Sequence, residues 1–350
     1  MSQGCPHFHQ PDVNWKPEFG NLLTVLECAE PERPTLFEFF LNEPLYEKLV
    51  GEPAPSAHND LPRLRWLIRA FTAAGYDYTT FHGSDIGFPR GDEELGGFRQ
   101  AGKTCISDRQ TLDAYPWPEP DEFDYSPLQD IEPELPDGMR LVVCGPGGVL
   151  ENAITLVGFE NIALLMADDP ELLDDIFEAI GTTLVRHYEI VAKHNSVGAC
   201  IGNDDWGFKT QTMLPPQAMR RYVFPWHRQI VETVHAAGKP IILHSCGNLA
   251  NIYDDIIDDM GYDGKHSYED TIQPVEEAYE EFHDRIALLG GIDVDFVCRR
   301  TPQEVYERSA GMIERASGRG AYALGTGNSV PEYVPDEHYF AMTAAALDER

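Results

Sequence analysis

The sequence lacks the features that would indicate a membrane or secreted protein. It has no run of about 18 apolar residues, so we expect no transmembrane helix and no membrane partner. Its first ten residues contain neither a basic nor an apolar segment, which argues against a signal peptide. Its seven cysteines form no Cys-x-x-Cys pair and no dense framework. That usage is typical of a reducing compartment, and we predict a cytoplasmic protein.

Basic residues are also scarce. The 350-residue chain has 26 Lys and Arg against 59 Asp and Glu, a net charge of -33, and Lys is much rarer than Arg. Phosphate binding requires a basic surface, so this balance argues against nucleic acid as a partner. A spread acidic surface keeps a protein soluble, and it suits a high-salt cytoplasm that screens the repulsion. An ordinary acidic protein has the same excess of acidic residues, so this composition does not decide between the two. The sequence also leaves the oligomeric state open, including a homodimer.

Strand and helix patterns alternate along most of the chain. The apolar periodicity of residues 61–74, followed by Gly75, predicts a helix that leads to a strand at 78–82. Residues 117–136 are expected to be an irregular connection. From residue 141 onward, short apolar runs end in polar or Gly-rich tips and are followed by helical patterns about every 30–45 residues, among them helices predicted at 216–237, 275–282 and 302–316. This predicts an α/β fold, a single (β/α)8 TIM barrel over residues 30–350 after an N-terminal extension, 1–29. A doubly wound sheet is the alternative, although no Gly-x-Gly-x-x-Gly opens a helix.

The sharpest chemical signal is a histidine and a cysteine at the end of one predicted strand. His244 and Cys246 follow the apolar residues 240–243 and are two positions apart. Residues i and i+2 of a strand point to the same side, so both side chains can face one site. Imidazole and thiolate are ligands that zinc prefers. We therefore predict a zinc site on His244 and Cys246, which needs a third protein ligand, with Cys298 as the first candidate.

Other polar residues follow other predicted strands and would meet at the same end of a barrel. Glu151, Asp205 and His82 are further candidates for the third ligand, and Asp205 could also accept a proton. Cys144 and Cys200 lie within apolar strands and are expected to be core residues. We expect the catalytic group to comprise Asp205, Glu151 and Asp293 and the substrate-binding group to comprise His82, Asn203, Asn248, His266 and Asn328.

Several of these stretches carry a resemblance to a known family. They are Leu-His-Ser-Cys-Gly-Asn at 243–248, Gly-Asn-Asp-Asp-Trp-Gly at 202–207, Gly-Gly-Ile-Asp at 290–293, Gly-Pro-Gly-Gly at 145–148 and Val-Pro-Asp-Glu-His-Tyr at 334–339. Together they resemble the uroporphyrinogen decarboxylase-like superfamily, over nearly the whole chain from about residue 30. That superfamily is a (β/α)8 barrel, which agrees with the pattern described above.

The resemblance is closer to the cobamide-dependent methyltransferase branch than to the true decarboxylases. The decarboxylases use no metal and open with an Arg-rich segment, whereas residues 32–40 here offer a single Arg. The methyltransferases have His-x-Cys at the place of His244 and Cys246, where zinc activates a thiol for attack on a corrinoid methyl group. Their second Cys lies in a Gly-Cys-Gly stretch, and Thr326 stands at the equivalent place.

The resemblance implies an enzyme that moves a methyl group between a cobamide or corrinoid protein and a thiol or similar acceptor, assisted by zinc. Two alternatives stay open. One is a decarboxylase of a porphyrinogen or other carboxylic acid, with Asp205 or Asp85 stabilising a protonated intermediate. The other is a corrinoid- or metal-binding subunit without turnover.

Overall fold

The computed structural model describes residues 8–10, 16–90 and 104–348. A single parallel sheet lies at its centre, in which each strand pairs with the next in chain order. The seven strands are β1 (Tyr78–Phe81), β2 (Arg140–Cys144), β3 (Val197–Asn203), β4 (Ile241–His244), β5 (Gly264–His266), β6 (Ala287–Leu289) and β7 (Tyr322–Ala323). The predicted α/β class with a parallel sheet is therefore confirmed.

Helices connect the strands, as expected for parallel neighbours, which cannot be joined by a tight turn. They are α1 (Gly20–Leu26), α2 (Glu43–Val50), α3 (Leu61–Ala74), α4 (Arg109–Ala114), α5 (Ser126–Asp130), α6 (Val149–Val157), α7 (Phe159–Asp168), α8 (Pro170–Val191), α9 (Pro216–Tyr222), α10 (Phe224–Ala236), α11 (Val275–Phe282), α12 (Val294–Arg299), α13 (Pro302–Ala316) and α14 (Asp336–Leu347). A π-helical turn covers Asp255–Met260, and 3-10 turns cover Pro120–Glu122 and Glu132–Glu134.

The helix α3 shows how the local sequence sets these boundaries. Asp60 caps its first turn by accepting a hydrogen bond from the Arg63 N–H at 2.9 Å, as N-terminal Asp residues commonly do. Gly75 ends it with a φ of 99°, a left-handed conformation that glycine adopts without a Cβ clash. The predicted bounds of this helix, 61–74, are confirmed.

Two stretches differ from the sequence-based expectation. The helix predicted over 216–237 is divided into α9 and α10, with Val223 at the break and Pro225 at the start of the second helix. The region 117–136, expected to be an irregular connection, contains α5 and both 3-10 turns. Both differences arise at prolines, which fit the first turn of a helix but interrupt one that is already formed.

The sheet is curled, because one segment meets both of its edges. Leu36 forms a parallel bridge with Leu324, just after β7, and the Leu41 backbone forms one with Val330. At the other edge, the Tyr78 hydroxyl of β1 lies 2.7 Å from both the N–H and the carbonyl oxygen of Glu38. The apolar residues of α1 are buried in the same hydrophobic core. The eighth strand and a domain boundary after residue 29 stay predictions.

No single helix among the described ranges is long and apolar enough to cross a membrane. The helices α6 and α7 together have the length and apolar composition of a span, but they are bent by 91° at their junction.

Candidate functional site

The site is built where β3 and β4 end side by side. Asn203 and His244 are register partners, so the residues that follow them come out at the same edge of the sheet. Asp205 and Cys246 lie in these two exits, and an Asp205 carboxylate oxygen accepts the Cys246 N–H at 2.8 Å. The cross-strand register therefore brings together residues that are about 40 positions apart in the sequence.

Three ligand-type side chains converge at this edge. One donor atom from each of Asp205, His244 and Cys246 lies within 4.8 Å of the other two. The His244 Nε2 and Cys246 Sγ atoms are 3.8 Å apart. Two atoms bound to one tetrahedral zinc at ordinary Zn–N and Zn–S lengths would be about 3.6 Å apart. The donor set and its spacing thus fit a zinc ion with three protein ligands and one open position.

A second histidine orients the first. His266, the register partner of His244, is completely buried, and the two Nδ1 atoms are 2.8 Å apart. One Nδ1 must carry the proton, and if His244 carries it, its Nε2 keeps a lone pair on the Cys246 side. Burial lowers the pKa of His244 to about 4 and that of His266 well below its ordinary value. Both rings are thus neutral, as a metal-binding histidine and its hydrogen-bonded neighbour must be.

The Cys246 sulfur is surrounded by polar groups. It accepts hydrogen bonds from the Asn328 side-chain amide at 3.2 Å and from the Ser267 hydroxyl at 3.4 Å. Burial, and then the charge of Asp205, raises the pKa of this thiol to about 12. Without a cation the sulfur is therefore protonated, and a metal ion would have to displace its proton. Asn328, predicted to bind substrate, lies at the site but contacts Cys246 itself.

The neighbouring carboxylate, Asp204, points the other way and is completely buried. It accepts the N–H groups of Leu150 and Glu151 at 2.8 and 2.9 Å, at the start of α6, and lies 3.0 Å from His227 Nε2. Its side chain fills the space beside Gly148, where an added Cβ would lie 2.1 Å from it. Asp204 therefore fixes α6 against the β3 exit and leaves Asp205 alone to face the site.

Glu151 lies at the start of α6, next to this pair of aspartates. Its carboxylate accepts the Gly148 N–H at 2.9 Å. Burial, followed by the charges of Asp204 and Asp205, raises its pKa to about 7. A group with such a pKa exchanges protons near neutral pH, which suits a general acid or base.

These positions bear on two predicted roles. Cys298, the first candidate for the third ligand, lies on α12 with its Sγ 4.0 Å from the Tyr333 carbonyl oxygen, and it is outside the ligand group found among the described residues. Asp205 is the third member of that group. His266, predicted to bind substrate, has no exposed surface in this structure. It contacts His244 instead.

Other predicted residues have mainly structural contacts or stand apart. Both Asp293 oxygens accept backbone N–H groups, one from Phe296 and one from Asp270, each at 2.9 Å. The Asn248 side chain accepts the Ala250 N–H at 3.1 Å and donates to the Lys209 carbonyl oxygen at 3.5 Å, and Asn248 also lines the pocket described below. Asn203, at the end of β3, has a buried side-chain oxygen without a partner in the described part of the chain.

His82 stands at the end of β1 beside the next strand. Its side chain is exposed, and its Nδ1 lies 3.2 Å from the Cys144 sulfur at the end of β2. Cys144 itself is buried, as expected for a core residue, and burial raises the pKa of its thiol to about 12. His82 is not part of the group formed by Asp205, His244 and Cys246.

Sequence reasoning missed two buried charged residues. Glu38 is completely buried, and its two carboxylate oxygens lie 2.6 Å from the Thr326 N–H nitrogen and 2.8 Å from the Thr326 hydroxyl. Lys265 of β5 is 2% exposed. The only signal in the sequence is that each charge stands between uncharged neighbours, Glu38 in Phe-Glu-Phe-Phe and Lys265 between Gly264 and His266.

A pocket of about 240 Å3 opens beside Cys246, between the loop after β4 and the segment from β5 to α11. Gly247, Lys265 and Ser267 form part of its lining. Ser267 also donates a hydrogen bond to the Cys246 sulfur, so this residue contacts both the pocket and the ligand group.

These features define an α/β protein with a parallel, curled sheet and a cluster of zinc-type ligands at the carboxyl ends of its strands. The model of the uroporphyrinogen decarboxylase (URO-D) family matches residues 131–348, more than half of the chain. The chain therefore belongs to the URO-D family, and the predicted superfamily is confirmed. No curated protein sequence matches the chain.

Solved structures share the fold at low sequence identity. A methyltransferase from Methanosarcina mazei has a TM-score of 0.70 and 17% identity, covering 96% of this chain and 99% of its own. Xylanase B from Clostridium stercorarium F9 has a TM-score of only 0.40 and 10% identity, covering 63% of this chain and 84% of its own. The first similarity extends the shared fold to nearly the whole chain.

Proposed function

We propose that this protein is a zinc-assisted methyltransferase that moves a methyl group between a corrinoid and a thiol. The observation that carries the proposal is the convergence of Asp205, His244 and Cys246 within 4.8 Å. The methyltransferase whose fold matches nearly the whole chain supports methyl transfer, and the resemblance at 243–248 supports the corrinoid as methyl donor.

We also propose that the segment around Leu36 closes the sheet as an eighth barrel strand, since it contacts both β7 and β1.

Each residue of the site has a distinct task in this proposal. Asp205, His244 and Cys246 would hold zinc, and His266 would fix the ring of His244 in the tautomer that leaves Nε2 free. Bound zinc would lower the pKa of a thiol acceptor so that it reacts as a thiolate. Glu151 would take the thiol proton, since its pKa of about 7 makes it a competent base at neutral pH. A corrinoid, when bound, would supply the methyl group and would keep the electron pair of the broken carbon–cobalt bond, while the residues of this chain would hold and deprotonate the thiol.

The first test is the zinc content of protein purified without chelator. We expect about one zinc per chain for the wild type and a loss of most of it in Cys246→Ser and Asp205→Asn, because each variant removes one of only three protein ligands. Cys298→Ser is the matched control, since it removes a cysteine of α12 outside the ligand group and should keep its zinc. Equal zinc content in all four proteins, or loss only in Cys298→Ser, would refute the assignment.

The second test is turnover. Methylcobalamin and a panel of thiols should give a change in corrinoid absorbance that requires both zinc and Cys246. A protein that releases CO2 from a carboxylic acid after complete removal of zinc would instead be a decarboxylase of the URO-D type. Binding of a corrinoid without any methyl transfer would identify a binding subunit.

A further inference from the structure

The pocket beside Cys246 lies on the helix-facing side of the sheet. His266 of β5 faces its register partner His244, so the preceding residue, Lys265, points to the opposite face. Residues of α11, including Glu277 and Phe282, line the pocket above it. At about 240 Å3, the pocket is smaller than the cavities of about 300–1,000 Å3 that take drug-sized ligands, so it suits a small metabolite.

The ammonium group of Lys265 has more N–H donors than hydrogen-bond acceptors around it. Its side chain is 2% exposed yet contributes to the pocket lining. Within the described ranges, one of its three N–H donors forms a hydrogen bond, to the Ser267 carbonyl oxygen, and the centroid of the Tyr268 ring lies 4.1 Å from the nitrogen. Burying a charge is costly unless it is paired and hydrogen-bonded. An anion in the pocket would supply the missing acceptor.

The charge of the rest of the pocket argues against a simple anion. Glu269, Glu277 and Glu281 also line it, so three carboxylates share the space with one ammonium group. One oxygen of Glu281 is engaged by the Gln273 amide at 2.8 Å. Glu277 is exposed, at the solvent side of the pocket. A ligand with two negative charges would be repelled at this rim, whereas a positive group would be attracted.

We propose that this pocket binds a small zwitterion of the amino-acid type, with its carboxylate on Lys265 and its ammonium group toward Glu269 and Glu277. Lys265 and His244 lie on opposite faces of the sheet, so this pocket is a site separate from the ligand group of Asp205, His244 and Cys246, and Ser267 is a contact between the two.

The proposal can be tested without zinc chemistry by titrating S-methyl-L-cysteine, whose sulfur cannot form a thiolate. Isothermal calorimetry should show binding that weakens at least tenfold for the methyl ester, which lacks the carboxylate, and for the N-acetyl derivative, which lacks the ammonium group. Lys265→Met should weaken binding at least tenfold. Lys239→Met is its control, since Lys239 is a partly buried lysine that donates to the Ala192 and His194 carbonyl oxygens away from the pocket.

The other outcomes separate this inference from the proposed methyl transfer. Equal affinity for the N-acetyl derivative would make this a plain anion site, and equal affinity for the ester a cation site. If none of the three probes binds, the pocket is excluded as a zwitterion site even if zinc binding and methyl transfer are observed. Binding that persists in a Cys246→Ser variant without zinc would support the pocket even if the proposed methyl transfer fails.

Discussion

Glu38 should make this protein less stable as the pH rises, and Glu38→Gln should remove that effect. Burial raises the pKa of Glu38 from its ordinary 4.5 to about 8, although the hydrogen bonds from Thr326 act in the opposite direction. The folded state therefore holds a proton that the unfolded state releases above pH 4.5. A raised folded-state pKa gives stability that is fully present below the unfolded pKa and is lost as the pH rises toward the folded one.

The geometry makes glutamine a close mimic of the protonated side chain. One Glu38 oxygen accepts the Thr326 N–H at 2.6 Å, and the other lies 2.8 Å from the Thr326 hydroxyl. In the neutral carboxyl group, the second oxygen can donate its proton to that hydroxyl. The glutamine amide can accept the same N–H and donate to the same hydroxyl, but it does not titrate.

The expected size follows from the pKa difference. Each pH unit between the two pKa values changes the free energy of unfolding by about 1.4 kcal/mol. From pH 5.5 to 7.5, the wild type should therefore lose about 3 kcal/mol relative to Glu38→Gln. Urea unfolding at both pH values measures this, and the difference between the two proteins cancels the titration of all other groups.

Glu314→Gln provides the control, because it makes the same chemical change at an exposed position of α13. Its stability relative to the wild type should stay constant within about 0.5 kcal/mol between the two pH values. If the difference between Glu38→Gln and the wild type is also independent of pH, Glu38 is ionised throughout and the reasoning from its burial is refuted.

Two further predictions concern the junction between α6 and β3. Asp204→Asn should lower the free energy of unfolding by about 2–4 kcal/mol, because the amide cannot accept from all three buried donors that the carboxylate serves; a urea midpoint equal to that of the wild type would contradict this. Gly148→Ala should also destabilise the fold, because the new Cβ would lie 2.1 Å from Asp204. Gly311→Ala lies within α13, and no atom lies within 4 Å of the new Cβ, so this change should instead stabilise the fold by about 0.5–1 kcal/mol. Thermal unfolding midpoints that shift in the same direction for both alanine variants would refute the packing argument.

Much of the fold was predictable because it is encoded locally. The bounds of α3, α11 and α13 agree with the sequence pattern, since apolar periodicity and terminal Pro or Gly residues are local signals. The contact of His244 with Cys246 was local as well, because the two residues are only two positions apart in the chain. The third ligand, Asp205, was not encoded locally. It reaches His244 and Cys246 through the register between β3 and β4, and the residue pattern within one strand does not specify that register.

The place of Cys298 and the missed residues have related physical causes. Cys298 lies a few positions after a strand end, but α12 begins at Val294 and carries it away from the ligand group. Glu38 and Lys265 were missed because a charged residue in a sequence is expected at the surface, and burial of a charge depends on partners supplied by distant segments. Thr326, which contacts Glu38, is 288 positions away in the chain.

Three consecutive residues of β5 and its exit connect the two proposed binding regions. His266 faces His244 and supports the ligand group, while Lys265 faces the helices and lies under the pocket. Ser267 has a φ of 87°, in the left-handed region that a residue with a Cβ rarely adopts and that costs about 1–3 kcal/mol. In this conformation, its hydroxyl donates to the Cys246 sulfur and its carbonyl oxygen accepts from Lys265. A strained residue of this kind persists only where the surrounding contacts hold it, and here the contacts are the proposed zinc ligand and the proposed carboxylate-binding group. A zwitterion bound to Lys265 would therefore be held next to the same residue that contacts the sulfur of Cys246.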